Sequence, residues 1–149
     1  MTAAGSRDRE IDGGLRRIFR ANLPMVHWAA LETGAVCPGL PDSNGCCRGR
    51  EFMVEFKATR DHVVRFRPLQ PGWITDRVRH GGRVFVFVRQ RPDNPPSATG
   101  TDLLWGFDGR DVVRLVSSGL RDAEQFALDV WRGGPRKWDW AQIEETLTR

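Results

Sequence analysis

The run Val84-Phe85-Val86-Phe87-Val88 constrains this chain more than any other stretch. Five consecutive β-branched and aromatic residues with no polar alternation describe a strand buried on both faces. A strand of that kind sits inside a sheet that carries a layer on each side. The preceding sequence offers material for such layers. Leu15, Ile18, Phe19 and Asn22 recur at helical spacing, with Arg16, Arg17 and Arg20 on the opposite face and Pro24 as a stop. A second helix is expected from about Pro68, where a first-turn proline costs no hydrogen bond, with Leu69, Trp73 and Val78 as its apolar stripe and Gly81-Gly82 as its end.

Three strands are expected between these helices, near 26–31, 39–44 and 51–58. The segment Glu51-Phe52-Met53-Val54-Glu55-Phe56-Lys57 alternates, so Phe52, Val54 and Phe56 share one face and Glu55 and Lys57 the other. The resulting order of helix, three strands, helix and strand gives an α/β fold, a mixed sheet flanked by helices. After the proline-rich 91–100 segment, Leu103–Phe107, Asp108-Gly109 and Val112–Val116 read as a hairpin on a tight turn. Ala123, Phe126, Ala127 and Val130 fit a helix closed by Gly133-Gly134-Pro135. A last helix starts at Asp139, an N-cap with Gln142 three residues on, and turns Trp140, Ile143 and Leu147 inward. Residues 1–13, polar and glycine-rich, read as a frayed start. All 149 residues are assigned to one domain, its core at about residues 15–90 and a C-terminal elaboration of hairpin and helices at about 101–149.

Chemistry concentrates between Glu32 and Gln70. Asp42 follows Pro41 at the end of an extended segment, and the turn-forming residues between it and Glu51 suit a hairpin that returns Asp42 beside Glu55. Asp42 alone reads as a turn former; with Glu55 and Lys57 behind it, metal ligation is favoured. Glu55 does not fit so simply, because an unpaired carboxylate inside an apolar strand is costly to bury. A salt bridge with Lys57 would account for Glu55, whereas a divalent cation would account for Glu55 and Asp42 together. Lys57 also stands out because Lys137 is the only other lysine among 23 basic residues. Two carboxylates and a compact ammonium at one place suit a cation and a water next to a phosphodiester.

The ordered set Glu32, Pro41-Asp42, Glu55-x-Lys57, Gln70 resembles the PD-(D/E)xK nuclease superfamily, and in particular small phage and prophage nucleases related to Holliday-junction resolvases and VRR-NUC proteins. The resemblance covers about residues 15–90, with Arg67-Pro68-Leu69-Gln70, Trp73 and Gly81-Gly82 in the expected order and a weaker echo at Trp138-Asp139-Trp140. It departs before Glu32, where such relatives often carry an arginine and this chain has Ala29, Ala30 and Leu31. The resemblance implies a restriction-endonuclease-like αβββαβ core and an endodeoxyribonuclease dependent on Mg²⁺ or Mn²⁺, with branched DNA one candidate substrate. Asp42, Glu55 and the backbone carbonyl of Phe56 would hold the metal, and Glu32 that metal or a second one. Lys57 would orient the nucleophilic water or stabilise developing charge, and Gln70 would position water or phosphate. Arg65, Arg67 and the Arg16/Arg17/Arg20 face would meet DNA phosphates, although such clusters are more commonly solvated surface. The implied setting is the cytoplasm of a bacterial host, if the chain is phage- or prophage-encoded, with DNA as partner and the oligomeric state open, a homodimer included.

Composition narrows the alternatives. An apolar share of 40% and a charged share of 28% suit a globular domain, and no stretch approaches membrane-spanning length. No N-terminal apolar run resembles a signal peptide. Three cysteines, two of them adjacent, make a poor disulfide framework, and they form no zinc pattern with His27, His62 or His80; they read as small turn residues in reduced form. The net charge of +4 favours polyanions. A non-catalytic nucleic-acid-binding protein on the same fold would explain that charge. It would not explain two carboxylates, which repel phosphate when no metal is present. A phage accessory factor that binds protein has no specific signal in the sequence.

Overall fold

The computed structural model describes residues 12–31, 37–91 and 102–149. In chain order the elements are α1 (Leu15–Asn22), β1 (His27–Ala30), β2 (Ser43–Cys47), β3 (Arg50–Thr59), α2 (Gln70–Arg79), β4 (Val84–Gln90), β5 (Leu103–Asp108), a 3₁₀ turn (Gly109–Asp111), α3 (Val112–Ser118), a second 3₁₀ turn (Ala123–Gln125), β6 (Asp129–Trp131) and α4 (Trp140–Thr148). The six strands form one sheet in sequence order. β3 and β4 run parallel, joined through α2, and every other neighbouring pair is antiparallel.

The alternation of β3 to β5 sorts the core into two layers. Phe52, Val54, Phe56, Phe85, Phe87 and Leu104 face α1 and α4, where Leu15, Phe19, Ile143 and Leu147 meet them. The Phe19 ring lies edge-on to both Phe56 and Phe87, each 4.8 Å away between centroids. Val84, Val86, Val88, Trp105 and Phe107 face α2 and α3 and pack with Ile74, Val112 and Leu115. Every residue from Val84 to Val88 is buried, as the unbroken apolar run requires.

The β2–β3 hairpin lies later in the chain than its sequence suggests. Ser43-Asn44-Gly45 and Cys46-Cys47, read above as turn residues, form strand β2, and the turn is Arg48-Gly49 with φ of 51° and 74°. Two consecutive residues in the left-handed region make the two-residue turn whose twist matches a hairpin. Gly45 is a strand residue because the Phe52 ring lies over it; a Cβ there would come within 2.5 Å of that ring. Asp12 and Gly13, placed in a frayed segment above, are buried.

Two C-terminal expectations are corrected. Val112–Val116 is helical, not the second strand of a hairpin: the Asp108 carboxylate accepts from Arg110 N–H at 2.9 Å and starts a 3₁₀ turn that runs into α3. β5 has β4 on one side and β6 on the other, so no edge remains for a further strand. Ala123–Val130 is not a helix but one 3₁₀ turn leading into β6, whose Trp131 ring fills the space that Gly106 leaves open. The last helix starts as expected, with the Asp139 carboxylate accepting from Gln142 N–H at 3.0 Å.

Candidate active site

The candidate site grows from the place where the β2–β3 ladder stops. Ser43 pairs with Val54, and continuing that register would set Pro41 opposite Phe56 in a pair that exchanges backbone hydrogen bonds. Proline has no N–H to give, so the ladder ends there. The Asp42 carboxylate takes over: its Oδ2 accepts from Phe56 N–H at 3.2 Å. In return the Asp42 N–H donates to Glu55 Oε2 at 3.2 Å. The two acidic residues are thereby clasped across adjacent strands. The Phe56 carbonyl leaves β3 on the same edge as its N–H and faces the same gap.

On the α2 side, Glu55 Oε1 receives Lys57 Nζ at 3.1 Å and Gln70 Nε2 at 2.8 Å. Gln70 Oε1 accepts from Lys57 Nζ at 2.9 Å and from Arg67 N–H at 3.0 Å. Both ends of the Gln70 amide are thus assigned by their partners. Lys57 Nζ also lies 4.8 Å from the centre of the Phe66 ring, a favourable place for a cation. Glu55, Lys57 and Gln70 are all buried, and Asp42, half-buried, forms the mouth of the cluster.

Burial comes first in raising the Glu55 carboxyl, and the Asp42 charge second; Lys57 and Gln70 pull the other way, and the outcome is a pKa pushed up to about 7. Glu55 thus trades its proton near neutrality, the condition for a group that must accept and release charge at working pH.

The structure brings Asp42, Glu55, Lys57 and Gln70 together. Glu32 lies outside the described residues. Arg67 is tied to the cluster through its backbone, and its Nη2 reaches the Leu40 carbonyl at 3.5 Å. Arg65 is exposed and lies 3.9 Å from Asp61. Arg16, Arg17 and Arg20 belong to α1, which covers the opposite face of the sheet from Glu55 and Lys57. Two participants escaped the sequence reading. Phe66 is one. Asp12 is the other: its carboxylate accepts from Gly14 N–H at 2.8 Å and Arg16 N–H at 3.4 Å. Burial, resisted by those two bonds, raises its pKa, and Asp42 adds a small repulsion. The Asp-Gly-Gly sequence just before the first helical residue was the available signal, a capping carboxylate followed by residues free to take positive φ.

The donor set suits a hard divalent cation. Among the described residues Glu55 accepts three hydrogen bonds and Asp42 one, so lone pairs remain on both, and the Phe56 carbonyl adds a third oxygen. Magnesium commonly takes one or two carboxylates and keeps several waters. Among the described residues no three acidic, histidine or cysteine side chains converge as a metal cage. No helix there is long and apolar enough to cross a membrane. No protein-family model matches the chain, and no curated protein matches it. Fold and site together define an α/β protein with a six-stranded mixed sheet and a clasped pair of acids, one buried and one half-buried, beside one lysine.

Proposed function

We propose that the protein is a metal-dependent nuclease that hydrolyses DNA phosphodiester bonds at the Asp42–Glu55–Lys57 cluster, and that α1 to β4 form a restriction-endonuclease-like core. The observation that carries the reading is the reciprocal clasp of Asp42 and Glu55 with Lys57 Nζ 3.1 Å from the second acid. DNA as the substrate follows from the resemblance described above. Asp42, Glu55 and the Phe56 carbonyl would hold Mg²⁺ or Mn²⁺. When bound there, the cation neutralises charge on a phosphodiester and makes water a better nucleophile near pH 7.

The remaining work falls to side chains of this chain. Lys57 presents a point positive charge where negative charge develops on phosphate oxygen. Gln70, fully buried, positions rather than touches the substrate: it holds Lys57 with one end of its amide and Glu55 with the other. Arg67 N–H fixes the orientation of that amide. Glu55, its pKa pushed up to about 7, would supply negative charge to that cation in its ionised form.

The test is a cleavage panel of single-stranded, duplex, flap and four-way DNA with Mg²⁺ or Mn²⁺. Cleavage by the wild type that disappears in Lys57→Ala while gel-shift binding persists is the expected result. Binding without cleavage of any substrate under either metal would overturn the reading in favour of a non-catalytic nucleic-acid-binding protein.

A further inference from the structure

Of the stripe expected to turn inward on α2, Trp73 and Val78 pack half-buried against the core, Leu69 does not, and the fully buried positions are Gln70 and Ile74. Leu69 is 58% exposed, and Trp73 is half-buried. Leu69, Trp73, Asp76, Arg77 and His80 form a stripe at helical spacing down the outside of α2. Trp73, Asp76, Arg77 and His80 line an open cavity of about 310 Å³. The stripe begins beside the site, because Leu69 adjoins Gln70 and Trp73 lies three residues on, about 4.5 Å of helical rise.

The surface is built, not incidental. Gly39, at φ 93°, lets its loop press against this turn; a Cβ there would fall 2.6 Å from the Leu69 carbonyl and 3.1 Å from Trp73 Cβ. Gly82 seats the Arg77 stem in the same way, 2.7 Å from its Cγ. Gly72, between Leu69 and Trp73, has nothing within 4 Å of where a Cβ would stand, so the turn is open to an approaching chain. Glycine inside a helix is a cost that an ordinary solvent-facing turn would not carry. The Arg77 guanidinium lies 5.7 Å from the centre of the Trp73 ring, near the limit of cation–π contact, and is exposed, so it can leave the ring for a phosphate. Between Arg65 and Arg83 there are five arginines against one aspartate, a net charge equal to the +4 of the whole chain.

We infer that this stripe binds an unpaired, single-stranded stretch of nucleic acid adjoining the scissile phosphate, with Trp73 stacking a base, Leu69 packing beside it and Arg77 meeting the backbone. This rests on the nucleic-acid reading of the neighbouring site. A duplex satisfies its base faces by its own stacking and offers an aromatic ring nothing to cover, whereas an unpaired strand offers both base faces and phosphates. Asp76, the acid in the groove, disfavours phosphate at its position and so directs the backbone to the Arg77 side.

The test measures binding of fluorescent single-stranded and blunt duplex oligonucleotides by anisotropy in EDTA, where no cleavage occurs. Wild-type protein is expected to bind the single strand more tightly. Trp73→Ala is expected to lose about 5- to 100-fold on the single strand and little on the duplex, with Trp73→Phe retaining most of the affinity. Arg77→Glu, at an exposed position, is expected to weaken single-strand binding and flatten its salt dependence. If Trp73→Ala does not fold, Trp73→Phe and Arg77→Glu decide the matter. Equal losses on both substrates, no loss on the single strand, or tighter binding of the duplex by the wild type would overturn the inference. Cleavage that is intact in Trp73→Ala, with unchanged single-strand affinity, would sink this inference and leave the nuclease reading standing. Trp73-dependent binding without any cleavage would do the reverse.

Discussion

Two groups of buried charge lie on the neighbouring strands β3 and β4, and they are built on opposite principles. The Arg89 guanidinium meets Asp102 as a fork, Nε to Oδ1 at 2.9 Å and Nη2 to Oδ2 at 2.6 Å, while Nη1 donates to the Gly13 carbonyl at 2.7 Å. The Trp138 ring lies 5.5 Å away, and the Asp102 carbonyl accepts from Trp138 and Gly134. Every nitrogen of the Arg89 guanidinium has an acceptor, and the group ties the start of α1, the end of β4 and the C-terminal segment together. Among the described residues the Glu55 cluster has two acids for one lysine, and burial with the second acid's charge pushes the pKa of Glu55 up to about 7. The first arrangement is finished without any visitor; the second has charge to spare for one.

Breaking the finished group should have the largest effect. Arg89→Ala leaves Asp102 without its partner in a largely buried place and frees the Gly13 carbonyl. A loss of roughly 3–5 kcal/mol is expected in urea unfolding, the usual cost of removing one half of a buried pair. Replacing both partners by apolar residues of similar volume should recover most of it. A loss below about 1 kcal/mol in Arg89→Ala would mean that the pair is no anchor.

Breaking the unfinished group should cost activity. Lys57→Ala is expected to lower cleavage by roughly 10²–10³-fold, the typical loss for one electrostatic stabiliser of a transition state. DNA affinity should change far less, since the arginines remain to meet the backbone. Lys57→Arg should also be poor, because a planar fork does not replace a point charge held between Glu55 and Gln70. Cleavage and affinity falling by the same factor would remove Lys57 from the chemical step.

Without metal, the unfinished group should also act on stability, with a sign that separates it from its neighbour. Glu55 has its folded pKa raised from 4.5 to about 7, so its contribution is fully present below pH 4.5 and is lost as pH rises through 7. That window is worth about 3 kcal/mol. Because the Asp42 charge is the second cause of the shift, Asp42→Asn should lower the Glu55 pKa and raise the melting temperature at pH 8 in EDTA. Asp102→Asn, which removes the carboxylate charge that Arg89 holds in its fork, should lower it. Two melts in one buffer make the comparison, and equal signs would refute it.

The contrast between the groups was only half legible in the sequence. Glu55 and Lys57 could be found because a strand period fixes which side chains share a face, and Asp42 because the turn residues after it suit a hairpin that returns it beside Glu55; Gln70, at the start of α2, came only from the ordered motif of the resemblance. The Arg89–Asp102 pair left no such trace, since Arg89 lies near the end of β4 and Asp102 just before β5, and its purpose is tertiary. The same limit explains the C-terminal errors. Val112–Val116 has strand-like composition, but both edges of β5 were already taken, and Asp108 capped a helical turn instead. Ala123–Val130 has helical spacing, but Trp131 gains more by filling the gap at Gly106 from a strand. In β2, Asn-Gly carried the usual signature of a turn, and only the Phe52 ring lying against Gly45 shows why it is a strand.

The smallest predicted effect sharpens the comparison most, because it ties the raised pKa to cation binding. A cation that binds Glu55 needs its ionised form, so below about pH 7 each binding event must expel one proton from that carboxyl. The apparent Kd for Mn²⁺ should then rise about tenfold for each pH unit below 7 and level off above it, a change of about 1.4 kcal/mol per unit. Calorimetry in buffers of different ionisation enthalpy should count about one proton released at pH 6 and almost none at pH 8. Glu55→Gln carries no such proton and should bind Mn²⁺ weakly with a flat profile. Arg89→Met with Asp102→Leu, which alters only the finished group, should leave the bend at its wild-type pH. A bend that moved with the Arg89 pair and ignored Glu55 would place the cation elsewhere in the molecule.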